Sequence, residues 1–234
     1  MPTTGITTNG YEIVRGILAL DAIEQLRETI DGELAKLGPE HFEFGGYFGL
    51  SERQLEGGMP LDRLRDHPSL PAMIKAFALH PSIMALVSAV LAPQGRRVSR
   101  VHLGENGAKL RDNEADATHW HTDGRMPLLP RNGRRIELGD PVTLTVVYAV
   151  DDFTSTNGAT EIAVASHLDA NRSPDAKRDT ALATMNAGDA LVMIGSHVFH
   201  RAGLNTSSAA RRRMVQVRID GLSKIDAGSI GKVS

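Results

Sequence analysis

The 234-residue chain contains no cysteine, which excludes a disulfide framework, a thiolate zinc site, an iron–sulfur cluster and a cysteine nucleophile. Any metal chemistry has to use imidazole and oxygen ligands. The chain also lacks an excess of charge of either sign: 26 basic against 28 acidic side chains leave a formal net charge of −2. Sequence-independent nucleic-acid binding needs a cationic footprint, so no nucleic-acid partner is expected. No apolar run approaches the about 20 residues that cross a bilayer, so no membrane span is expected. The opening MPTTGITTNG is polar and uncharged. It has neither the basic nor the apolar region of a secretory signal, which points to the cytoplasm.

What is present is a pattern that changes along the chain. With no internal repeat, low-complexity tract or long linker, the length predicts one domain over 1–234, helical over about 1–95 and β-rich over about 96–222. A β segment is expected over 11–18, followed by a helix over 21–37 capped by Asp21. In that helix Ile23, Leu26, Ile30 and Leu34 recur at three- and four-residue steps. Helical patterns return over 71–79 and 83–91. Short β-like runs then follow at 98–103, 117–123, 142–150, 161–164, 190–194 and 214–219, separated by turn signals such as Asn157-Gly158 and Gly188-Asp189. This spacing predicts a mainly β fold with flanking helices, built on a double-stranded β-helix core of the jelly-roll, cupin-like kind.

Six of the nine histidines lie between His102 and His200, and three chemically interesting residues fall in His119-Trp120-His121-Thr122-Asp123. Alternate positions on a strand share a face, so His121 and Asp123 can converge on one ion, with His119 on the same side. Two imidazoles and one carboxylate form the facial triad of non-haem Fe(II) oxygenases, which leaves three metal positions open for reactants. An H-x-D pair alone is a weak signal and needs a distal imidazole. His197 and His200 are the candidates; they are three apart and so point to opposite faces of a strand. Spacing leaves the choice between them open. Further on, Val215, Val217 and Ile219 alternate with Gln216 and Arg218, which reads the odd-numbered row as the inward one. Arg211 and Arg213 share that parity, whereas Arg212 is expected to point out with Arg218. A guanidinium inside a barrel needs an anion, and its planar fork suits a carboxylate.

These residues together resemble the phytanoyl-CoA dioxygenase family of Fe(II)- and 2-oxoglutarate-dependent oxygenases, over most of the chain. The resemblance runs through the Asn9-Gly10-Tyr11 entry and His121-x-Asp123. It continues through Val147 to Asp152, Asn157-Gly158-Ala159-Thr160, Ser166-His167, Gly188-Asp189-Ala190-Leu191, His200 and Gly203 to Ser207. It implies His121, Asp123 and His200 as the iron ligands, with His200 favoured over His197 by the glycine three residues later. It also implies Arg211, eleven residues beyond His200, as the partner of the 2-oxoglutarate carboxylate, with Arg213 as its backup and His102 as a further cosubstrate contact. Fe(II), 2-oxoglutarate and O2 are the implied cofactor, cosubstrate and oxidant. Asp123 stands where halogenating relatives carry a small residue, so halogenation is disfavoured. Val164-Ala165 departs from the family's Pro-Gly in the turn before Ser166-His167.

The expected activity is oxidation of a substrate C–H bond, most simply hydroxylation, with release of succinate and CO2. The expected substrate is a small or medium hydrophobic molecule such as a natural-product intermediate. The regions 42–59 and 124–140 are expected to rim the cavity mouth, the second bringing four arginines. Trp120 is expected to pack away from the metal and His167 to hold backbone. Two other readings are a cupin-like metalloprotein using His119 and His121, and a barrel that binds a small molecule without turnover. A monomer or a homodimer fits the sequence equally well.

Overall fold

The computed structural model describes residues 5–36, 47–50, 59–61, 63, 72–91, 96–105, 120–123, 140, 142–168, 179–207 and 211–221. Helix α1 (Gly5–Thr8) leads into strand β1 (Tyr11–Val14), helix α2 (Leu20–Leu34), strands β2 (Tyr47–Leu50) and β3 (Met59–Pro60), and helices α3 (Ala72–Ala78) and α4 (Pro81–Val90). Strands dominate thereafter: β4 (Arg96–Glu105), β5 (Thr143–Ala149), β6 (Glu161–Ala163), β7 (Thr180–Leu182), β8 (Ala190–Met193), β9 (His200–Arg201) and β10 (Arg213–Gly221). A 3-10 turn, Ser166–Leu168, follows β6.

The larger sheet runs β1-β8-β5-β10-β4-β2, with β3 also on β4, and the smaller runs β7-β6-β9. All of these pairings are antiparallel. Two antiparallel sheets with helices outside are the jelly-roll architecture expected from the strand spacing.

The expected elements differ from the observed ones where a local contact intervenes. The strand expected over 11–18 stops at Val14, because Gly16 takes a left-handed φ of 63° and the N–H groups of Ile17 and Leu18 both turn onto the Gly188 carbonyl. The Asp189 carboxylate secures that bend by accepting from Gly16 N–H at 2.9 Å and from Arg15 at 2.5 Å. Asp21 does not cap α2: the cap is Ala19, without a side-chain bond, and Asp21 lies in the first turn, where its charge still meets the helix dipole. His80 caps α4 instead, its Nδ1 accepting from Ser82 N–H at 3.3 Å ahead of Pro81. Of the strand expected over 117–123, the described residues show a single bridge, His121 to His200.

Which way each strand face looks follows from register. Ile23, Leu26, Ile30 and Leu34 of α2 and Ile83, Leu86, Val87 and Val90 of α4 are buried in one apolar cluster with Leu144, Val146, Tyr148, Val215, Val217 and Ile219. Tyr148 donates its hydroxyl to the Phe77 carbonyl of α3 at 3.2 Å, and the two rings lie 4.5 Å apart. Since Tyr148, Val146 and Leu144 stand opposite Val215, Val217 and Ile219, the odd-numbered row of β10 faces the helices. The even-numbered row, Met214, Gln216 and Arg218, aligns with Val147 and Thr145 on β5 and with His102 and Arg100 on β4. That row is the interior one, the reverse of the expected parity. Alternation implies an apolar inner face only where the polar face meets solvent; here both faces are covered and the polar one lines a cavity.

Ala165 has a left-handed φ of 56°, in the turn where the resembling family carries glycine, and its N–H still bonds the Asn9 carbonyl at 2.8 Å. A non-glycine residue in this conformation costs about 1 kcal/mol. Ala165→Gly is therefore expected to raise the melting temperature by about 2–4 °C; a lower one in a thermal melt would show that the turn bears no such strain.

Candidate metal centre

Strand β9 lies on β6, with Ile162 opposite His200 and Glu161 opposite Arg201. On its other edge His121 and His200 exchange both backbone hydrogen bonds, each at 3.0 Å. Directly opposed residues share a face, and the two imidazole rings lie 4.5 Å apart. Two residues on, Asp123 N–H donates to the Gly195 carbonyl at 2.7 Å, which brings the carboxylate back to the same point. Gly195 leaves no room for a side chain: a Cβ there would stand 2.3 Å from Thr145 Oγ1 and 3.1 Å from Asp123 Oδ2. One ligand-capable atom from each of His121, Asp123 and His200 falls within 4.8 Å of the others.

The donor chemistry fits a divalent ion. His200 Nδ1 lies 3.0 Å from the Val198 carbonyl, a contact that requires Nδ1 to carry the proton and leaves the Nε2 lone pair directed at the trio. That Nε2 is 3.5 Å from Asp123 Oδ2. Asp123 is buried, which alone would raise its pKa, but in the metal-free site His200, when Nε2 also carries a proton, together with Arg218 and Thr145 outweighs burial and holds the carboxyl well below the usual range. Thr145 Oγ1 donates to Oδ2 at 2.6 Å, and Arg218 donates to Oδ1. His121 is exposed while Asp123 and His200 are buried, so the trio opens to one side.

The trio sits in the wall of a cavity of about 540 Å³ that is also lined by Arg100, His102, Met193, Arg212, Gln216 and Arg218. His102 lines the cavity from β4, and burial, with help from Arg100 and Arg218, pushes its pKa down to about 4. Arg211 and Arg213 are not in the lining. Arg211 pairs with Asp31 of α2 at 2.8 Å, and Arg213 pairs with Asp31 at 2.9 Å and Asp151 at 2.8 Å. Both belong to the odd-numbered side that faces the helices, so neither is placed in the cavity where the resemblance puts the cosubstrate partner. Arg212 takes the interior place: it is 3% exposed, lines the cavity, and lies 4.9 Å over the Phe153 ring. It stands one residue beyond the position that the family spacing gives. The parity of Arg212 with Gln216 and Arg218 was the available signal, once the polar row is recognised as the interior one.

Several further sequence features prepare this geometry. Asn157 fixes its own turn by accepting from Thr154 N–H at 2.7 Å and reaches the Arg211 carbonyl at 3.3 Å, setting where β10 begins. Ser166 Oγ accepts from Phe199 N–H at 2.9 Å, next to His200. His167 Nε2 lies 3.3 Å from the Thr7 carbonyl, the backbone-holding contact expected of it. Trp120 carries the Arg201 guanidinium at 4.5 Å from its ring centroid, and Arg201 bonds Glu161 at 2.7 Å. His197 is buried with Nδ1 2.8 Å from Ser196 Oγ and is absent from the trio. His119, residues 124–139 of the second mouth region and most of 42–59 lie outside the described residues.

The model of the phytanoyl-CoA dioxygenase (PhyH) family matches residues 6–214. The chain belongs to the phytanoyl-CoA dioxygenase family. Among solved structures, this family member is similar to the non-haem, α-ketoglutarate-dependent epimerase SnoN from nogalamycin biosynthesis, with a TM-score of 0.61, 19% identity, and coverage of 93% of this chain and 78% of SnoN. It is also similar to HygX of Streptomyces hygroscopicus, solved with nickel, 2-oxoglutarate and hygromycin B, with a TM-score of 0.59, 12% identity, and coverage of 92% and 84%. At these identities the likeness is one of fold. A curated relative, the dioxygenase andF of Emericella variicolor, is 43% identical over 75 residues, 31% of this chain. The match spans 26% of that relative's length. Among the described residues no helix is long and apolar enough to cross a membrane.

Two outcomes follow. Gly195→Ala is expected to weaken Ni(II) binding by about tenfold or more, since its methyl displaces Asp123 and Thr145; unchanged nickel affinity in a calorimetric titration would remove Gly195 from the architecture of the centre. The second concerns pH. The folded pKa of His102, about 4, lies below its ordinary value of 6.5, so between these values the unfolded state binds more protons than the folded one. Metal-free protein should therefore lose stability as pH falls from about 6.5 toward 4, and His102→Gln should lose less. Parallel denaturation profiles for the two proteins would contradict this.

Proposed function

We propose that the protein is an Fe(II)- and 2-oxoglutarate-dependent oxygenase that oxidises a C–H bond of a small or medium hydrophobic molecule, most simply by hydroxylation. The observation that carries this reading is the convergence of His121, Asp123 and His200 on a cavity that also contains the buried Arg212. Fe(II) held by the trio would supply oxygen activation coupled to oxidative decarboxylation of 2-oxoglutarate to succinate and CO2. The residues themselves ligate, orient and exclude water. Arg212 is suited to the distal carboxylate of the cosubstrate through two charge-assisted hydrogen bonds, with its plane held against Phe153. His102, neutral near pH 7, offers a further polar contact from β4. The cavity volume is in the range of small-molecule sites. Natural-product chemistry in the named relatives, nogalamycin biosynthesis for SnoN and hygromycin B in HygX, supports a natural-product intermediate as substrate.

Anaerobic addition of Fe(II) and 2-oxoglutarate should give the weak visible charge-transfer band of the chelate. A barrel that only binds small molecules would give none, and a metalloprotein of the cupin kind would bind iron without responding to 2-oxoglutarate. His121→Ala and His200→Ala should abolish succinate formation; wild-type turnover in either would break the triad assignment. Arg212→Ala should raise the 2-oxoglutarate requirement about 30-fold, a loss of roughly 2 kcal/mol, while Arg211→Ala leaves it near wild type. The opposite ranking would return the cosubstrate role to Arg211.

A further inference from the structure

Asp123 is gripped by a guanidinium that neither the ligand trio nor the cosubstrate contact requires. Arg218 reaches it from β10, where it stands opposite Thr145 on β5 and Arg100 on β4, all three on the interior side. Its side chain is 12% exposed, and it bonds Oδ1, whereas Thr145 bonds Oδ2. Oδ2 is the oxygen that approaches His200 Nε2, at 3.5 Å. The carboxylate is therefore fixed at both ends, with the guanidinium on the oxygen turned from the distal imidazole. A hydroxyl would have sufficed to fix the rotamer. A full positive charge does something more.

The charge arithmetic shows what. A divalent ion held by two neutral imidazoles and one carboxylate has a net charge of +1. Placing a guanidinium against the same carboxylate restores the group to +2, which matches a dianionic ligand. An arginine so placed lowers the donor strength of the carboxylate and repels the incoming cation, so it works against metal binding alone and in favour of an anion binding beside the metal.

We propose that Arg218 is a positioning residue that couples the metal to its cosubstrate: by sharing the Asp123 charge it makes the loaded centre a better acceptor for 2-oxoglutarate, at some expense to metal affinity. The proposal rests on the oxygenase reading above and deepens it. Such coupling is reciprocal, so 2-oxoglutarate should tighten metal binding by the same factor that metal tightens 2-oxoglutarate.

Two equilibria test it, without turnover: Ni(II) binding to cosubstrate-free protein, and 2-oxoglutarate binding to Ni(II)-loaded protein, each followed by calorimetry for wild type, Arg218→Gln and Arg218→Lys. Arg218→Gln should bind Ni(II) as tightly as wild type or more tightly, and bind 2-oxoglutarate at least about tenfold more weakly. Arg218→Lys keeps the charge and should stay within about threefold of wild type for 2-oxoglutarate. Weaker Ni(II) binding with unchanged 2-oxoglutarate binding in Arg218→Gln would make Arg218 a prop for Asp123 and overturn the coupling. So would a tenfold loss in Arg218→Lys, which decides the matter should a thermal melt show Arg218→Gln unfolded. Wild-type protein that takes up Ni(II) but not 2-oxoglutarate sinks the oxygenase reading itself, a result distinct from any difference among variants.

Discussion

The two hydrogen bonds exchanged by His121 and His200 are the constraint on which the centre depends. Nearly eighty positions separate the two residues in the chain, and a loop closed over that length costs entropy that two hydrogen bonds do not recover. The bridge holds because its surroundings determine it on both sides. Beside the rings, Trp120, Arg201 and Glu161 form a row by cation–π contact and ion pair. Beyond His200, β6 pairs with β9, and Ser166 binds the Phe199 amide. At the other end Asp123 is tied by its backbone to Gly195. Ligand geometry is thus set by backbone pairing, and side-chain rotamers have only the last adjustment to make.

The same logic places the arginines. Strand β10 is covered on both faces, by helices on one and by the cavity on the other, and its cations are sorted between them by parity. Arg213 meets Asp31 and Asp151, and Arg27 joins Asp151 at 3.1 Å, so the outward pair of Arg211 and Arg213 ties β10 to α2. Arg212 and Arg218 project into the site. A one-residue slip of β10 would exchange the two rows and put Val217 or Ile219 where Arg218 meets Asp123. The Asn157 side chain, which contacts the Arg211 carbonyl, stands where such a slip would begin, which gives the Asn157-Gly158 turn a physical reason beyond reversing the chain.

Much of this was legible in the sequence because it depends on local periodicity. The stripe Ile23, Leu26, Ile30 and Leu34 and the strands β4, β5, β6, β8 and β10 were readable, whereas β7 and β9, at three and two residues, are too short for alternation to register. His121 and Asp123 come together because alternate residues of an extended segment share a face whatever surrounds it. The row that enters the cavity was not recoverable the same way. Alternation shows that two rows differ; it does not say which row faces a ligand cavity when both are buried, and the packing of α2, α3 and α4 against the Tyr148 row fixes that. The β1 boundary failed for a similar reason, since it is set by Gly188 and Asp189, far along the chain.

The buried charges close the argument. Burying the Asp123 carboxylate is costly unless it is paired and hydrogen-bonded, and the fold supplies Thr145 and a backbone tether to hold it, with Arg218 as the balancing charge, before any ion arrives. A centre assembled only on metal binding would spend part of the metal's binding energy on ordering those groups. With the carboxylate already held, that energy is available for selecting the ion and its co-ligand. The cationic side of the cavity then has a chemical meaning. It adjusts a pre-built centre toward anions, which is the property that a site using a dicarboxylate beside a divalent ion requires.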